Sequence, residues 1–299
     1  MNRRIATILA AAAMTIVTAS AFAQTPELPL PQVPATLREP AARAAYIIEH
    51  FWDAMDFADR TLSMDDAFME QAFSNFISVF PYAGDDARRR AVRSVMTAAH
   101  DADREAYMKL VEVAEKYLWE TESPLFSEEF YTPFLEHIAA SSPADDYSTL
   151  RYRYQLEAVR KNRPGELAAD FAYVDRSGRS RMLRKTPVRN RLLVIFYDPD
   201  CDHCHDVMAS LRDDAVLSQA VADGSLTVLA LSVGDNRAQW ERTAAQLPEQ
   251  WLAGFVTSDI LGTQRYVMRS MPTLYLLDAD KRVLLKEPSP SSLTDLLGR

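Results

Sequence analysis

Cysteine is almost missing from this chain: among 299 residues there are two, Cys201 and Cys204. A disulfide framework is thereby excluded. Two cysteines three residues apart could close only a tiny loop, and the entropic gain from a crosslink grows with loop length, so chemistry accounts for the pair better than stabilisation does. Glycine is also scarce, with eight in all and only Gly84 ahead of Gly165. Positive charge is short as well: 33 Lys and Arg face 42 Asp and Glu. The deficit is local, since residues 24–160 hold 13 bases and 24 acids whereas residues 161–299 hold 18 of each. Such a surface repels nucleic acid and anionic membrane, which excludes both as expected partners. After the N-terminus no apolar run approaches the roughly 20 residues of a membrane span, so the protein is not expected to be membrane-embedded.

The N-terminus reads as an export signal. Arg3 and Arg4 precede an apolar stretch from Ile5 to Val17, and Ala21-Phe22-Ala23 closes it as a cleavage site. Residues 1–23 are thus expected to be a signal peptide, leaving a soluble protein in a disulfide-permissive, periplasmic space. Residues 24–40 contain five prolines and read as an extended tether. From Ala41 apolar residues recur at helical spacing, with Tyr46, Ile47, Phe51 and Ala54 forming the expected stripe of the first helix. Similar patterns follow in MDDAFMEQAFSNFISVF, DDARRRAVRSVMTAAH, REAYMKLVEVAEKYLWE and Glu128 to Ala140, with Pro81, Pro124 and Pro143 as breakers between them. Residues 41–162 are therefore expected to form an all-α domain, of a role the pattern does not specify.

Residues 163–299 have a different grammar. ADFAYVD and RSRMLRK flank Arg176-Ser177-Gly178 as a hairpin, and RLLVIFYD and LTVLALSV are buried-strand runs. HDVMASLRDDAVLSQAV, NRAQWERTAAQ (capped by Asp235 or Asn236) and DILGTQRYVMR read as helices. LYLLDADKRVLLK gives two strands around a turn, and Ser289-Pro290 caps a closing helix through Leu297. The expected fold is α/β, a central mixed sheet flanked by helices.

The stretch FYDPDCDHCHD places Cys201 straight after a buried strand and at the first turn of a helix. Unpaired backbone N–H groups there favour a Cys201 thiolate, and Cys204, one turn on, is placed to attack a mixed disulfide. A protonated His203 would add to this, while Asp198, Asp200, Asp202 and Asp206 act in the opposite sense. Two rival readings use the same residues. Cys201, Cys204 and His205 spell C-x-x-C-H, the attachment motif for c-type haem, and Cys201, Cys204 and a histidine could bind copper or zinc. A non-catalytic binding module is a further alternative.

Strand, C-x-x-C, helix, strand, helix, then Met271-Pro272-Thr273 before a hairpin and last helix resembles the thioredoxin superfamily, and ADF with the basic hairpin is similar to its periplasmic TlpA/ResA branch. The resemblance covers about residues 164–299. It implies a thiol:disulfide oxidoreductase acting on protein thiols or disulfides with a redox partner protein and no cofactor. In it Cys201 is the nucleophile, Cys204 the resolving cysteine and Pro272 a cis-proline, with the Met271 backbone free to pair with substrate. The inner residues Asp202 and His203 modulate the pair, the histidine being similar to that of oxidising DsbA-like members. Two departures stand out: Pro199-Asp200 replaces the common tryptophan before Cys201, and Ile195 stands where thioredoxin has a buried acid.

His50, His100 and His137 read as surface or satisfied histidines, Trp52 and Trp119 as core, and Arg88-Arg89-Arg90 as a solvated helix face. Seven bases lie between Arg176 and Arg191, so an intramolecular docking of the acidic helical domain on this basic hairpin is a further expectation.

Overall fold

The computed structural model describes residues 27–141, 147–234, 236–256, 260 and 265–298, in two compact units, Met1–Phe134 and Leu135–Arg299. The signal peptide, the breaker Pro143, the alternative cap Asp235 and, of the helix expected at DILGTQRYVMR, residues 259 and 261–264 lie outside the described residues, whereas residues 265–269 are described and are not helical, a correction to that expectation. No helix among the described residues is long and apolar enough to cross a membrane.

In the first unit the regular elements among the described residues are helices, as the pattern requires: α1 (Pro40–His50), α2 (Arg60–Ser63), α3 (Asp66–Ser78), α4 (Asp85–Ala102), α5 (Arg104–Leu118) and the start of α6 (Glu128–Ser141). Side-chain caps fix where they begin. Asp65 accepts from Phe68 N at 2.7 Å to start α3, and Asp103, in extended conformation, accepts from Glu105 N and Ala106 N at 2.8 and 3.0 Å to start α5 directly after α4. The core is aromatic and centred on Phe76, whose ring lies 5.5 Å from Phe51, 5.8 Å from Trp52 and 4.9 Å from Phe80.

Two expectations are corrected here. The first helix buries Ala44 and Ile48, with Phe51 and Trp52 just past its end, and not Tyr46, Ile47 or Ala54. Its inward face is set by packing on α4 and the Phe80–Tyr82 turn, one notch round from the most apolar-looking stripe. Arg88 is not solvated: it pairs with Glu129 at 2.8 Å and lies over the Phe130 ring at 5.1 Å, because that side of α4 faces α6. Arg89 and Arg90 do face outward, each tied to an acid, Asp85 at 2.8 Å and Glu49 at 2.7 Å.

The second unit is a mixed sheet with helices against it. Its elements are α7 (Leu150–Val159), β1 (Ala172–Asp175), β2 (Ser180–Met182), β3 (Arg191–Tyr197), α8 (Asp202–Asp213), α9 (Ala215–Ala222), β4 (Leu226–Val233), α10 (Arg237–Ala244), β5 (Leu252–Val256), β6 (Thr273–Asp278), β7 (Val283–Lys286) and α11 (Pro290–Leu297). The strand order is β2-β1-β5-β4-β3-β6-β7. β3, β4 and β5 run parallel, while β6 joins β3, and β1 joins β5, in antiparallel sense. Being central, β3 is buried on both faces, which is why its sequence is a continuous apolar run. α7 belongs with this sheet: Lys286 of β7 donates to the Ala158 and Lys161 carbonyls, both at 2.9 Å, setting a cation at the helix C-terminus.

The helix expected across residues 205–221 is two helices. Asp214 accepts from Leu217 N at 2.8 Å and restarts the chain as α9. β5 and α7 are elements the pattern did not announce. In β5, Gly254 is required by its neighbours, since an added Cβ would stand 2.5 Å from Tyr173 Cδ2 and 2.8 Å from Leu231 Cδ2. Tyr173 cannot swing away, because its hydroxyl is bonded to Thr186 Oγ1 at 2.9 Å in the interior.

Candidate active site

β3 delivers the chain into a tight turn at the end of the sheet. Asp198 makes that turn: its carbonyl accepts from Cys201 N at 3.1 Å and its carboxylate from Asp200 N at 2.9 Å. From α10, Gln239 donates to the Asp200 carboxylate and ties the turn down. Cys201 is then the N-cap of α8. Its sulfur accepts from Cys204 N at 3.1 Å, filling the role that a serine or aspartate oxygen fills at other helix starts. The sulfur thus lies at the N-terminal end of α8, beside the helix's free N–H groups.

One turn on, Cys204 points into the protein and is 0% exposed, whereas Cys201 is half-buried. Burial first, and then its hydrogen bond to Cys201, push the Cys204 thiol up to about 12, against the backbone of Asp198, which pulls it down. The reduced protein therefore holds a proton on Cys204 at neutral pH. Asp202 and His203 lie exposed on the first turn of α8. His205 also faces outward and lines a recess of about 330 Å³ with Met208, Leu247 and Trp251. Among the described residues no group of three or more His, Cys, Asp or Glu side chains is arranged to hold a metal ion.

From 70 residues away the segment before β6 comes to the same place. The Met271–Pro272 peptide bond is cis, and the Met271 carbonyl stands 3.9 Å from Cys201 Sγ. Pro272 is buried and Met271 is half-buried, packing against the apolar clusters on both faces of the sheet. A buried ion pair anchors this segment: Arg269 Nε and Nη2 reach Glu287 Oε2 at 2.9 and 2.6 Å. Glu287 N in turn donates to Leu274 O at 2.9 Å, closing the end of the β6–β7 hairpin onto it.

Three features here were not singled out from sequence as parts of the site. Asp198 counted only as one acid among four, yet it builds the turn. Arg269 and Glu287 pair across a strand hairpin, a relation no local pattern reveals. Tyr197 ends the apolar run four residues before Cys201, and its buried hydroxyl has no hydrogen-bond partner among the described residues. Burial pushes that hydroxyl up to about 12, against Arg176, which lowers it, with the Cys204 sulfur adding to the rise. Leaving a buried hydroxyl unpaired costs roughly 1–3 kcal/mol, so phenylalanine would be the more stable residue here.

The chain is similar to several proteins of known structure. The thioredoxin-like protein from Bacteroides caccae is 28% identical, with a TM-score of 0.81, over 91% of this chain and 98% of that one. A conserved protein of unknown function from Bacteroides fragilis is 36% identical over 45% of this chain and 98% of its own, with a TM-score of 0.43. The thioredoxin domain of a thiol-disulfide oxidoreductase from Bacteroides vulgatus is 19% identical over 45% of this chain and 95% of its own, with a TM-score of 0.39. No curated protein matches the chain. The family described as a domain of unknown function (DUF5106) matches residues 9–162. With that match over half of its length, and a thioredoxin-like fold in its C-terminal half, the chain belongs to the DUF5106 family.

Proposed function

We propose that the protein is an exported thiol:disulfide oxidoreductase that works through Cys201 and Cys204. The observation that carries this reading is the pairing of an accessible sulfur at a helix N-cap with a second, fully buried thiol one turn beneath it. The Cys201 thiolate attacks a substrate disulfide, forming a Cys201–substrate bond and releasing the other substrate sulfur as a thiolate. Cys204 then gives up its proton and attacks Cys201, the Cys201–substrate bond breaks with its electron pair on the substrate sulfur, and that sulfur is protonated. Two electrons pass from the dithiol to the substrate, and the reverse sequence oxidises a dithiol.

Substrate enters along the Met271 main chain, 3.9 Å from the nucleophile, where an extended segment can pair by backbone hydrogen bonds with little demand on its side chains. Asp202 and His203, exposed beside the pair, set the charge that segment meets. The burial of Cys204 speaks against covalent haem attachment, which needs both thiols to reach vinyl groups. Export rests on the pattern of residues 1–23.

Replacing Cys204 by serine tests the order of events. The C204S protein, mixed with an excess of a disulfide-containing protein, is expected to accumulate a stable adduct through Cys201, read by mass spectrometry and released by dithiothreitol. The parent should show no lasting adduct, because only Cys204 can release it. If C204S gives no adduct, Cys201 is not the nucleophile of a disulfide exchange.

A further inference from the structure

Asp200 stands directly before Cys201, where Pro199-Asp200 takes the place of the tryptophan common at that point. Its position is held from another element. Parallel neighbours β3 and β4 leave the sheet at the same end, Tyr197 level with Ser232, so the turn to Cys201 and the approach to α10 emerge together. Trp240 anchors α10: it is buried with Ala244, Ala253 and Phe255, its ring 5.6 Å from that of Phe255. Gln239, in the first turn, precedes that anchor. Asn236 caps the helix, its Oδ1 accepting from Gln239 N at 3.1 Å. With its oxygen so used, the Asn236 amide donates from Nδ2 to Gln239 Oε1 at 3.0 Å. That fixes the Gln239 amide in turn, leaving Nε2 as the donor to the Asp200 carboxylate.

This bond lands on the turn that places the nucleophile. Asp200 N donates to the Asp198 carboxylate at 2.9 Å and Cys201 N to the Asp198 carbonyl at 3.1 Å, so the three residues form one hydrogen-bonded unit. At its end Cys201 Sγ accepts from Cys204 N at 3.1 Å and stands 3.9 Å from the Met271 carbonyl. We propose that Gln239 is a positioning residue for Cys201: through Asp200 it fixes the turn on α10, keeping the sulfur in reach of both Cys204 and a substrate segment lying along Met271. It takes no part in bond making or proton transfer. Its contribution is to hold the reacting sulfur in place before substrate arrives. Glutamine suits this task and glutamate does not. A carboxylate at 239 could still accept from Asn236 Nδ2, leaving the cap of α10 intact, but it would set like charge against Asp200.

This inference rests on the disulfide-exchange reading, and a pair of substitutions separates the two. Reduction of insulin disulfides by dithiothreitol is followed with the parent, with Gln239→Glu, with Asp200→Asn and with both changes together. Q239E should slow the catalysed rate about fivefold to tenfold, the size of a repulsion between two exposed charges in contact. In the D200N background the same Q239E change should cost less than about twofold, because the new amide donates to the new carboxylate and the bond re-forms with its direction reversed. A general loss of structure would show no such rescue. Thermal denaturation should leave all four proteins folded at the assay temperature, since the cap of α10 is kept. Parental exchange by Q239E, or a Q239E defect of equal size in both backgrounds, would overturn the role of Gln239 while leaving disulfide exchange standing. Failure of the parent itself to catalyse the reduction would remove both.

Discussion

Serine at Cys201 is expected to lower disulfide exchange to the uncatalysed background while leaving the fold at least as stable as before. The first half follows from the geometry. Cys204 is fully buried, so with Cys201 gone the chain has no accessible thiol to attack a substrate disulfide. The second half follows from the other task of Cys201, which caps α8 by accepting from Cys204 N. A hydroxyl accepts that bond better than a thiol does, and serine is among the preferred N-caps, a group whose loss to alanine costs roughly 0.5–2 kcal/mol. Reduction of a protein disulfide by dithiothreitol, with and without the variant, reads the first effect, and thermal denaturation of the reduced proteins reads the second. Residual exchange at a substantial fraction of the parental rate would contradict the assignment of the nucleophile. A large fall in stability would contradict the capping geometry.

Truncating Arg269 to alanine should have the largest effect on stability, about 3–5 kcal/mol. Its side chain is 11% exposed and that of Glu287 8%, so the variant would leave a carboxylate in the interior with its main cation removed. Against a typical domain stability of about 5–15 kcal/mol this is a large fraction. The consequence reaches the site, because the pair closes the end of the β6–β7 hairpin onto the segment that carries Met271 past Cys201. Replacing both partners together, Arg269→Met with Glu287→Leu, should cost less than either truncation, since both charges of the pair are removed at once. Urea denaturation of the three variants checks this. A loss below about 1 kcal/mol for R269A would mean that the pair is solvated and does not anchor the segment.

What was legible in the sequence is what local pattern encodes. The runs RLLVIFY and LTVLALSV are strands buried on both faces, so their composition names them, and the cysteines announce themselves by standing at the end of the first. The hairpin at Arg176-Ser177-Gly178, the Asn236 cap of α10 and the Ser289 cap of α11 likewise follow from residues that have few other uses. β5 was not legible, because it is only five residues long and opens with Leu252-Ala253-Gly254, which has no β-branched residue and no alternation. It is a strand because β4 and β1 enclose it and Tyr173 leaves room only for glycine at 254. The buried face of α1 was misplaced for the same reason, since Ala44 and Ile48 are inward through contact with α4 and not through being the most apolar choice. In the site, Cys201, Cys204, Met271 and Pro272 could be named in advance. Arg269 with Glu287 could not, because nothing in a sequence ties positions 18 apart across a hairpin. Tyr197 looked like one more strand residue, and only the structure shows that its hydroxyl has no hydrogen-bond partner among the described residues.

The most direct test is a redox titration of the protein against glutathione, with free thiols trapped by alkylation and counted by mass. The account predicts one reversible two-electron transition between a form with both Cys201 and Cys204 alkylated and a form with neither. Its midpoint should lie between about −270 mV, as in thioredoxin, and about −120 mV, as in DsbA, and the value fixes whether the protein reduces or oxidises its substrates. A pair that stays reduced across the whole glutathione range, or two thiols that are lost independently to separate glutathione adducts, would contradict the claim that Cys201 and Cys204 form a working dithiol.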